Sequence, residues 1–144
     1  MTWGANWWPR KGCENMSRRY KDWQRQAQQD LKAARDSLNA GHYEWAAFQS
    51  QQGAEKALKA LLRYHNHEAR GHTLVHLLGG AQDFVAVSPE LWPKVRELDR
   101  HYIQPRYPNG FATGYPAEFY DQETAERVLA YGTDVLEFVQ SHLA

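Results

Sequence analysis

The chain has 144 residues with a single cysteine, Cys13, so it fits one domain and cannot form an intrachain disulfide. Its 17 basic and 17 acidic residues cancel, which argues against a large electropositive face and disfavours DNA as a partner, although a small basic pocket remains compatible. There is no apolar run of about 18 residues and no signal-peptide pattern. We therefore expect a cytoplasmic protein without a membrane span.

Residues 1–16 differ from the rest of the chain, because they hold three tryptophans, two glycines and a proline without a helical period. Two interpretations stay open. The segment is either a non-native extension before a domain that begins near Met16, or a tail that packs its tryptophans on a partner. We predict an irregular segment over residues 1–16 and a helical domain over residues 17–144.

The first helix is predicted to start at Ser17, which can cap it, and to end before Gly41, which suits a left-handed C-terminal position. Apolar residues at spacings of three and four form one stripe on it: Trp23, Ala27, Leu31, Ala34 and Leu38. The second helix, residues 42–65, carries many small residues around Gly53. Because glycine inside a helix costs about 1 kcal/mol relative to alanine, we expect a helix or another subunit to approach closely there.

Three further helices are predicted. Thr73 can cap a short helix over residues 74–85, and Ser88-Pro89-Glu90 is a strong start for a helix that runs to about residue 103. Residues 104–116 hold three prolines and two glycines, so they form an irregular connection before a last helix over residues 117–142. No segment alternates as a strand does, and the sequence therefore predicts an all-α bundle.

Three pieces of the sequence together resemble the HEPN domain family. They are "YEWAAFQSQQGAEKALKALLRYHN" on the second helix, "GHTLVHLL" after it, and "LDRHYIQPRYPNGF" at the end of the fourth helix. The resemblance covers residues 18–142 and implies an up-and-down four-helix bundle with an additional short helix, often as a homodimer. It also implies genomic pairing with a minimal nucleotidyltransferase, and either metal-independent endoribonuclease activity, as in many toxins, or nucleotide binding.

Arg96 and His101 fit the Arg-x4–6-His motif that the resemblance implies for the nuclease members. A metal-independent ribonuclease needs a histidine to move a proton and an arginine to stabilise charge on the phosphate. However, a spacing of five residues places the two side chains about 140° apart on one helix, and Glu97 is an unfavourable neighbour for a phosphate-binding arginine. The alternative is a solvated helix face with weak ion pairs among Arg96, Glu97, Arg100 and His101.

A second candidate lies between two prolines. Pro105 and Pro108 restrict the backbone around Arg106 and Tyr107, and an arginine beside an aromatic ring suits a phosphate and a base. We predict a nucleotide- or RNA-binding site formed by Arg106, Tyr107, Tyr102, Lys56 and Lys59.

The alternative for this second candidate is structural. In that interpretation Tyr107 plugs the end of the bundle, and Arg106 pairs with a carboxylate such as Glu55. Lys59 then forms an i,i+4 ion pair with Glu55 on a wet surface.

His72 and His76, four residues apart, are a third candidate. They could face one metal ion, but no third ligand is evident. The favoured interpretation is that His72 helps to cap the third helix and that His76 packs on its polar side. We predict no metal site and no cofactor.

Aromatic residues between positions 102 and 120 are denser than a loop requires, which favours a lid over the bundle end or a dimer surface. Together with the resemblance, these features predict a homodimer that binds a nucleotide or RNA, in a toxin–antitoxin-like pair with a nucleotidyltransferase. Two alternatives are a metal-independent ribonuclease that uses Arg96 and His101, and a non-catalytic protein-interaction module.

Overall fold

The computed structural model describes residues 19–143, and the regular structure in that range is all helical, as predicted. The helices are α1 Tyr20–Asn39, α2 Tyr43–Tyr64, α3 Leu74–Ala81, α4 Leu91–Asp99, α5 Pro116–Phe119 and α6 Gln122–Gln140, with a 3-10 turn at Pro108–Gly110. The predictions for residues 1–16 and for a cap at Ser17 lie outside the described residues. None of the described helices is long and apolar enough to span a membrane.

Helix α2 is the centre of the fold, because it packs on α1, α3, α4 and α6. Its own buried residues are mostly alanine and leucine. The largest fully buried apolar side chains come from four helices: Leu58, Leu61 and Leu62 of α2, Leu74, Leu77 and Leu78 of α3, Val95 and Leu98 of α4, and Val128, Val135 and Val139 of α6. Burial of each such side chain contributes about 1.5–3 kcal/mol, so α2 joins the other helices into one core.

The close helix approach that the sequence predicts at Gly53 is confirmed. A Cβ atom on Gly53 would lie 2.7 Å from Leu31 Cδ2, and one on Gly132 of α6 would lie 3.1 Å from the same atom. The Leu31 side chain of α1 thus occupies space that any larger residue at position 53 or 132 would need. Gly41 adopts a φ of +82°, as predicted for the residue that follows the end of α1.

The prediction of one continuous helix over residues 117–142 is wrong. The chain breaks at Tyr120 and Asp121, between the short α5 and the long α6. Asp121 is extended and its Oδ1 accepts a hydrogen bond of 2.8 Å from the Thr124 N–H, so it caps α6. The break turns the Tyr120 side chain inwards, where it is buried.

Helix α3 is capped from another helix. Neither Thr73 nor His72 provides the predicted cap. Instead the Asp99 carboxylate, at the end of α4, accepts hydrogen bonds from the Leu74 N–H at 2.6 Å and the Val75 N–H at 3.2 Å. An acidic side chain at a helix N-terminus satisfies free N–H groups and complements the helix dipole. This cap fixes the start of α3 against the end of α4.

Helix α4 is shorter than the predicted residues 89–103. It begins at Leu91, without a side-chain cap from Ser88, and ends at Asp99. Residues 100–106 form consecutive turns. The turns direct the side chains of Tyr102 and Arg106 towards α2, where the candidate site forms.

Candidate functional site

Arg106 is held by three aromatic rings and by the backbone of its own turn. Its guanidinium carbon lies 4.4 Å from the ring centroid of Phe48, 4.7 Å from that of Tyr102 and 5.3 Å from that of Tyr107. Its Nε donates a 2.8 Å hydrogen bond to the Tyr102 carbonyl oxygen. Within residues 19–143 no carboxylate pairs with this guanidinium, so its terminal Nη groups remain available to an anion.

The imidazole of His72 also stacks on the Tyr102 ring. The two ring centroids are 4.5 Å apart and the planes differ by 18°, a stacked arrangement. We call Phe48, His72, Tyr102 and Arg106 the arginine–aromatic stack. It brings together α2, the loop before α3, and the turn after α4.

Glu55 lies behind the stack and is almost completely buried. His72 Nδ1 lies 3.1 Å and 3.2 Å from its two carboxylate oxygens. Lys59 Nζ donates to Glu55 Oε2 at 3.1 Å, and Gln51 Nε2 bonds both Glu55 Oε1 at 3.4 Å and the His72 carbonyl oxygen at 3.2 Å. A buried carboxylate needs such partners, and these three side chains satisfy the oxygens of Glu55.

Burial raises the pKa of the Asp99 carboxyl, and the nearby charge of Glu55 raises it further, while the hydrogen bonds from Leu74 and Val75 oppose this shift. The negative charge of Glu55 therefore lies close enough to the end of α4 to act on Asp99.

Four of the five predicted binding residues lie at or next to the stack, and one does not. Arg106 and Tyr102 belong to it, and Tyr107 contacts it with a ring that is 48% exposed. Lys59 joins it through Glu55, and its Nζ also lies 5.7 Å from the Trp23 ring centroid. Lys56 points to α1, where its Nζ donates to Asp30 Oδ2 at 2.6 Å.

The structural alternatives for these residues are partly wrong. Tyr107 does not plug the bundle end, because half of it is exposed, and Arg106 bonds the Tyr102 carbonyl oxygen rather than Glu55. The Glu55–Lys59 pair exists as predicted, but it is buried and does not lie on a wet surface.

The Arg96 and His101 side chains have different environments. Arg96 is exposed on α4, whereas His101 is only 5% exposed. His101 Nε2 lies 2.8 Å from Glu97 Oε2, and His101 Nδ1 lies 2.7 Å from the Tyr120 hydroxyl oxygen. Glu97 also accepts a 3.3 Å hydrogen bond from Arg127 Nε of α6. Both ring nitrogens of His101 are therefore occupied by protein partners.

Burial lowers the pKa of the His101 imidazole, more than the hydrogen bond and charge of Glu97 raise it. A neutral imidazole fits both contacts, because Nε2–H then donates to Glu97 and Nδ1 accepts from the Tyr120 hydroxyl. Burial alone would raise the pKa of the Glu97 carboxyl, but the His101 hydrogen bond and the charges of Arg127 and Arg100 together hold it below its usual range. Burial and the charge of Glu97 raise the pKa of Tyr120.

The predicted exposed ion pairs among Arg96, Glu97, Arg100 and His101 are thus wrong for His101 and Glu97. We call His101, Tyr120, Glu97 and Arg127 the buried histidine network. Its hydrogen bonds connect the turn after α4 to Tyr120 at the α5–α6 break and to Arg127 of α6.

The structure adds site residues that the sequence alone did not identify. Phe48 and Gln51 are new contributors, and His72 has a new partner in Glu55. One signal for them exists in the sequence: Gln51, Glu55 and Lys59 follow each other at intervals of four on a helix whose other residues are mostly small and apolar. Polar residues on a buried helix face must find partners there.

His76 is exposed, and Arg70 pairs with Glu68 on the surface at 2.7 Å. In the part of the chain that the structure describes, no three histidine, cysteine or acidic side chains converge so that they could hold a metal ion.

The HEPN domain profile matches residues 20–142. The curated protein named "Putative toxin MJ1304", from Methanocaldococcus jannaschii, is 30% identical over an alignment of 128 residues, and the match covers 83% of this chain and 84% of that protein. Among solved structures, TT1696 from Thermus thermophilus is 38% identical with a TM-score of 0.85, over 87% of this chain and 98% of that one.

Two further solved structures are similar. ST0689, described as an archaeal HEPN homologue, is 34% identical with a TM-score of 0.74, over 87% of this chain and 98% of that one. An HEPN domain protein from Thermotoga maritima is 31% identical with a TM-score of 0.69, over 83% of this chain and 95% of that one. The predicted resemblance is confirmed: this chain belongs to the HEPN domain family.

Proposed function

We propose that this toxin-like HEPN protein binds a nucleotide or single-stranded RNA at the arginine–aromatic stack. The observation that carries the proposal is the position of Arg106, whose guanidinium rests against three aromatic rings while its Nη groups have no carboxylate partner among the described residues. Arginine is a forked donor for phosphate oxygens. Because its plane is already fixed, little side-chain entropy is lost on binding.

The exposed ring of Tyr107 supports the same proposal. Proteins recognise single-stranded nucleic acid with aromatic rings that stack on bases and with cationic groups that follow the backbone. Tyr107 is extended immediately before Pro108, which restricts its backbone and holds its exposed ring next to Arg106. A base on Tyr107 would therefore place its phosphate near Arg106.

The test is binding of a fluorescein-labelled RNA oligonucleotide of mixed sequence, together with calorimetry on a panel of ribonucleotides. Arg106→Ala and Tyr107→Ala are each expected to weaken RNA binding about 10-fold or more. Arg96→Ala, which removes an exposed arginine on α4, is the matched control and should leave the dissociation constant unchanged. Equal binding by Arg106→Ala and the wild type would contradict the proposed site.

Cleavage of RNA through Arg96 and His101 ranks below binding. A general base needs a nitrogen that can reach its substrate, and both nitrogens of His101 bond Glu97 and Tyr120 inside the protein. It stays a prediction with a direct test, which is digestion of total RNA in EDTA by the wild type and by His101→Ala. If neither the wild type nor His101→Ala cleaves RNA, the prediction of ribonuclease activity is wrong.

We also propose that the protein acts as a homodimer beside a nucleotidyltransferase partner. Exposed aromatic side chains favour an interface, and they include Trp45, Tyr107, Tyr115 and Phe119. The toxin name of the Methanocaldococcus relative supports a paired system. Sedimentation of the purified chain tests the dimer, and co-expression with the neighbouring gene product tests the partner.

The exposed aromatic side chains also favour the second candidate function, a non-catalytic interaction module. A copurifying complex that forms equally well with Arg106→Ala, in a protein that binds neither RNA nor nucleotide, would favour this module over ligand binding.

A further inference from the structure

Arg63, in the last turn of α2, has surroundings similar to those of Arg106. Its guanidinium carbon lies 4.1 Å from the ring centroid of Trp23, as that of Arg106 lies 4.4 Å from the ring centroid of Phe48. In the part of the chain that the structure describes, no carboxylate pairs with Arg63, and its buried Nη1 has no hydrogen-bond partner. Because a buried N–H group without a partner is unfavourable, an oxyanion that bonds this guanidinium would stabilise it.

The charges around Arg63 also favour an anion. Burial lowers the pKa of its guanidinium, and the nearby charge of Arg19 lowers it further. The carboxylate of Asp22 pairs with Arg19 at 2.9 Å, but this pair is exposed, where the interaction is weak. Two arginines therefore lie close together, and an anion near both would reduce their repulsion.

One face of α2 connects Arg63 to the arginine–aromatic stack. At about 3.6 residues per turn, a sector of about 80° around the helix axis holds four side chains, which we call the α2 face: Phe48, Glu55, Lys59 and Arg63. Because Phe48 and Arg63 are separated by 15 residues, the helix places them about 22 Å apart. Arg106 rests on Phe48, so the α2 face has an arginine without a carboxylate partner among the described residues at each end.

The middle of the α2 face is close to neutral. Glu55 is the one carboxylate that α2 carries between Phe48 and Arg63, and Lys59 Nζ pairs with it at 3.1 Å. Both side chains are buried, whereas that of His72, which lies 3.1 Å from Glu55, is 55% exposed. A chain of phosphates that passes over His72 would therefore meet a neutral pair below it.

We infer that the RNA-binding surface extends along the α2 face from Arg106 to Arg63, and that the ligand is a single-stranded RNA chain rather than a mononucleotide. This inference rests on the proposed function, because it requires RNA to bind at the arginine–aromatic stack. An arginine against an aromatic ring at each end suits a phosphate and a neighbouring base. Stacked bases are about 3.4 Å apart along a strand, so a span of about 22 Å takes about seven nucleotides.

The experiment measures how affinity depends on RNA length. Fluorescence anisotropy with the full chain follows a fluorescein-labelled dinucleotide, octanucleotide and dodecanucleotide of uridine in EDTA. We expect the octanucleotide to bind at least about 10-fold more tightly than the dinucleotide, because it reaches both arginines. The dodecanucleotide should gain less than about twofold over the octanucleotide, because the α2 face is already filled.

Arg63→Ala separates the two ends of the surface. It should weaken octanucleotide binding about 10-fold and leave dinucleotide binding within about twofold of the wild type, because the stack at Arg106 is unchanged. The slope of log K against log salt concentration for the octanucleotide should become shallower by about 0.7, the value for one lost phosphate contact on a single strand. Lys56→Met is the matched control, because it removes a positive charge from the same helix that Asp30 already neutralises. It should leave both dissociation constants unchanged.

Arg63→Gln is a second variant, which keeps most of the side-chain length and removes the charge. It should show the same selective loss of octanucleotide binding, and it decides the question if Arg63→Ala does not fold. Unchanged dinucleotide binding shows in either variant that the arginine–aromatic stack is intact.

The outcomes distinguish this inference from the proposed function. Octanucleotide binding that stays at the wild-type level in the Arg63 variants, or that is no tighter than dinucleotide binding in the wild type, overturns the extended surface and leaves binding at the stack intact. An equal loss of dinucleotide and octanucleotide binding in the Arg63 variants would mean that Arg63 acts through the fold, which also overturns it. Displacement of the octanucleotide by an equal concentration of an octaglutamate peptide would assign the surface to an acidic protein segment instead. If none of the oligonucleotides binds, both the inference and RNA binding at the stack are overturned.

Discussion

The arginine–aromatic stack and the buried histidine network are both built around a histidine that bonds a glutamate, and they differ in access to solvent. His101 is 5% exposed and bonds Glu97 at 2.8 Å, while its second nitrogen bonds Tyr120 at 2.7 Å. The His72 side chain is 55% exposed and bonds Glu55 at 3.1 Å with one nitrogen only. In the first pair the histidine is the buried polar group that needs partners, and in the second pair it is the glutamate.

This difference separates a buried structural histidine from one that a ligand can reach. A buried imidazole whose nitrogens are both bonded stabilises the fold and has nothing left for a substrate. An exposed imidazole that a buried carboxylate orients costs the protein little and presents a nitrogen to solvent. The type of partner is the same in the two pairs, so burial decides which histidine can act on a ligand.

The two histidines should differ most in their contribution to stability. We expect His101→Ala to lower the free energy of unfolding by about 3 kcal/mol, because it removes two hydrogen bonds, takes the nearest partner from Glu97 and leaves the buried Tyr120 hydroxyl without its partner. His72→Ala should cost less than about 1 kcal/mol, because its ring is half exposed. Urea denaturation of both variants measures the difference. Equal losses in the free energy of unfolding would mean that the two histidines contribute equally to stability.

A smaller effect is expected on RNA binding when the ring that joins Arg106 to His72 is changed. Tyr102→Leu should weaken binding about 10-fold, because Arg106 and His72 lose the flat ring that both contact. Tyr102→Phe keeps this ring and should bind within about twofold of the wild type. Fluorescence anisotropy with labelled RNA measures both. If the two variants bind alike, the Tyr102 ring does not organise the site.

The pH dependence of stability should also report on the buried His101. Burial holds the pKa of His101 below its ordinary value of 6.5, so on acidification the unfolded chain takes up this proton before the folded one does. Stability is therefore lost as the pH falls from about 6.5 towards the folded pKa of His101. Because Glu97 has a lowered pKa as well, its contribution is lost at still lower pH, below 4.5.

A His101→Gln variant lacks this titration, although it keeps Glu97, Arg127 and Tyr120 around the site. Between about pH 7 and about pH 5, its melting temperature should fall by less than that of the wild type. Thermal melts followed by circular dichroism at several pH values measure this. A variant that loses as much stability as the wild type over this range would show that another group controls the loss.

The smallest effect is expected at Lys56, which the sequence grouped with the binding residues. Its ion pair with Asp30 is partly buried on the α1 side, away from the arginine–aromatic stack. Lys56→Met should destabilise the protein by less than about 1 kcal/mol and should leave RNA binding unchanged. Loss of RNA binding in Lys56→Met, as large as in Arg106→Ala, would extend the site across α2 to α1.

The sequence predicted the fold well where a local pattern was sufficient. The apolar stripe of the first helix, the left-handed Gly41 and the close approach at Gly53 are each visible in residues that neighbour one another along the chain. It missed the break at Tyr120, although Asp121, three residues before Thr124, is a capping signal. Helical periodicity on both sides of the break concealed it.

The site was less predictable, because its contacts join distant segments. Arg106 and Tyr102 were predicted to belong to one binding site. The bond between Glu55 and His72 spans 17 residues, and the Asp99 cap on α3 spans 25. Burial of His101 depends on Tyr120, which is 19 residues away. A motif defined by spacing selects a histidine by its position and contains no information about whether the folded chain leaves it accessible.

The Asp99 carboxylate has a mechanical consequence. Asp99 is the last residue of α4, and its carboxylate accepts two hydrogen bonds from the first turn of α3. That turn comes directly after the loop that carries His72. The turn with Tyr102 and Arg106 follows Asp99 at once. The hydrogen bonds of Asp99 therefore hold these two segments to each other, in addition to their contacts with α2. We therefore expect loss of the Asp99 carboxylate to loosen both segments of the arginine–aromatic stack together.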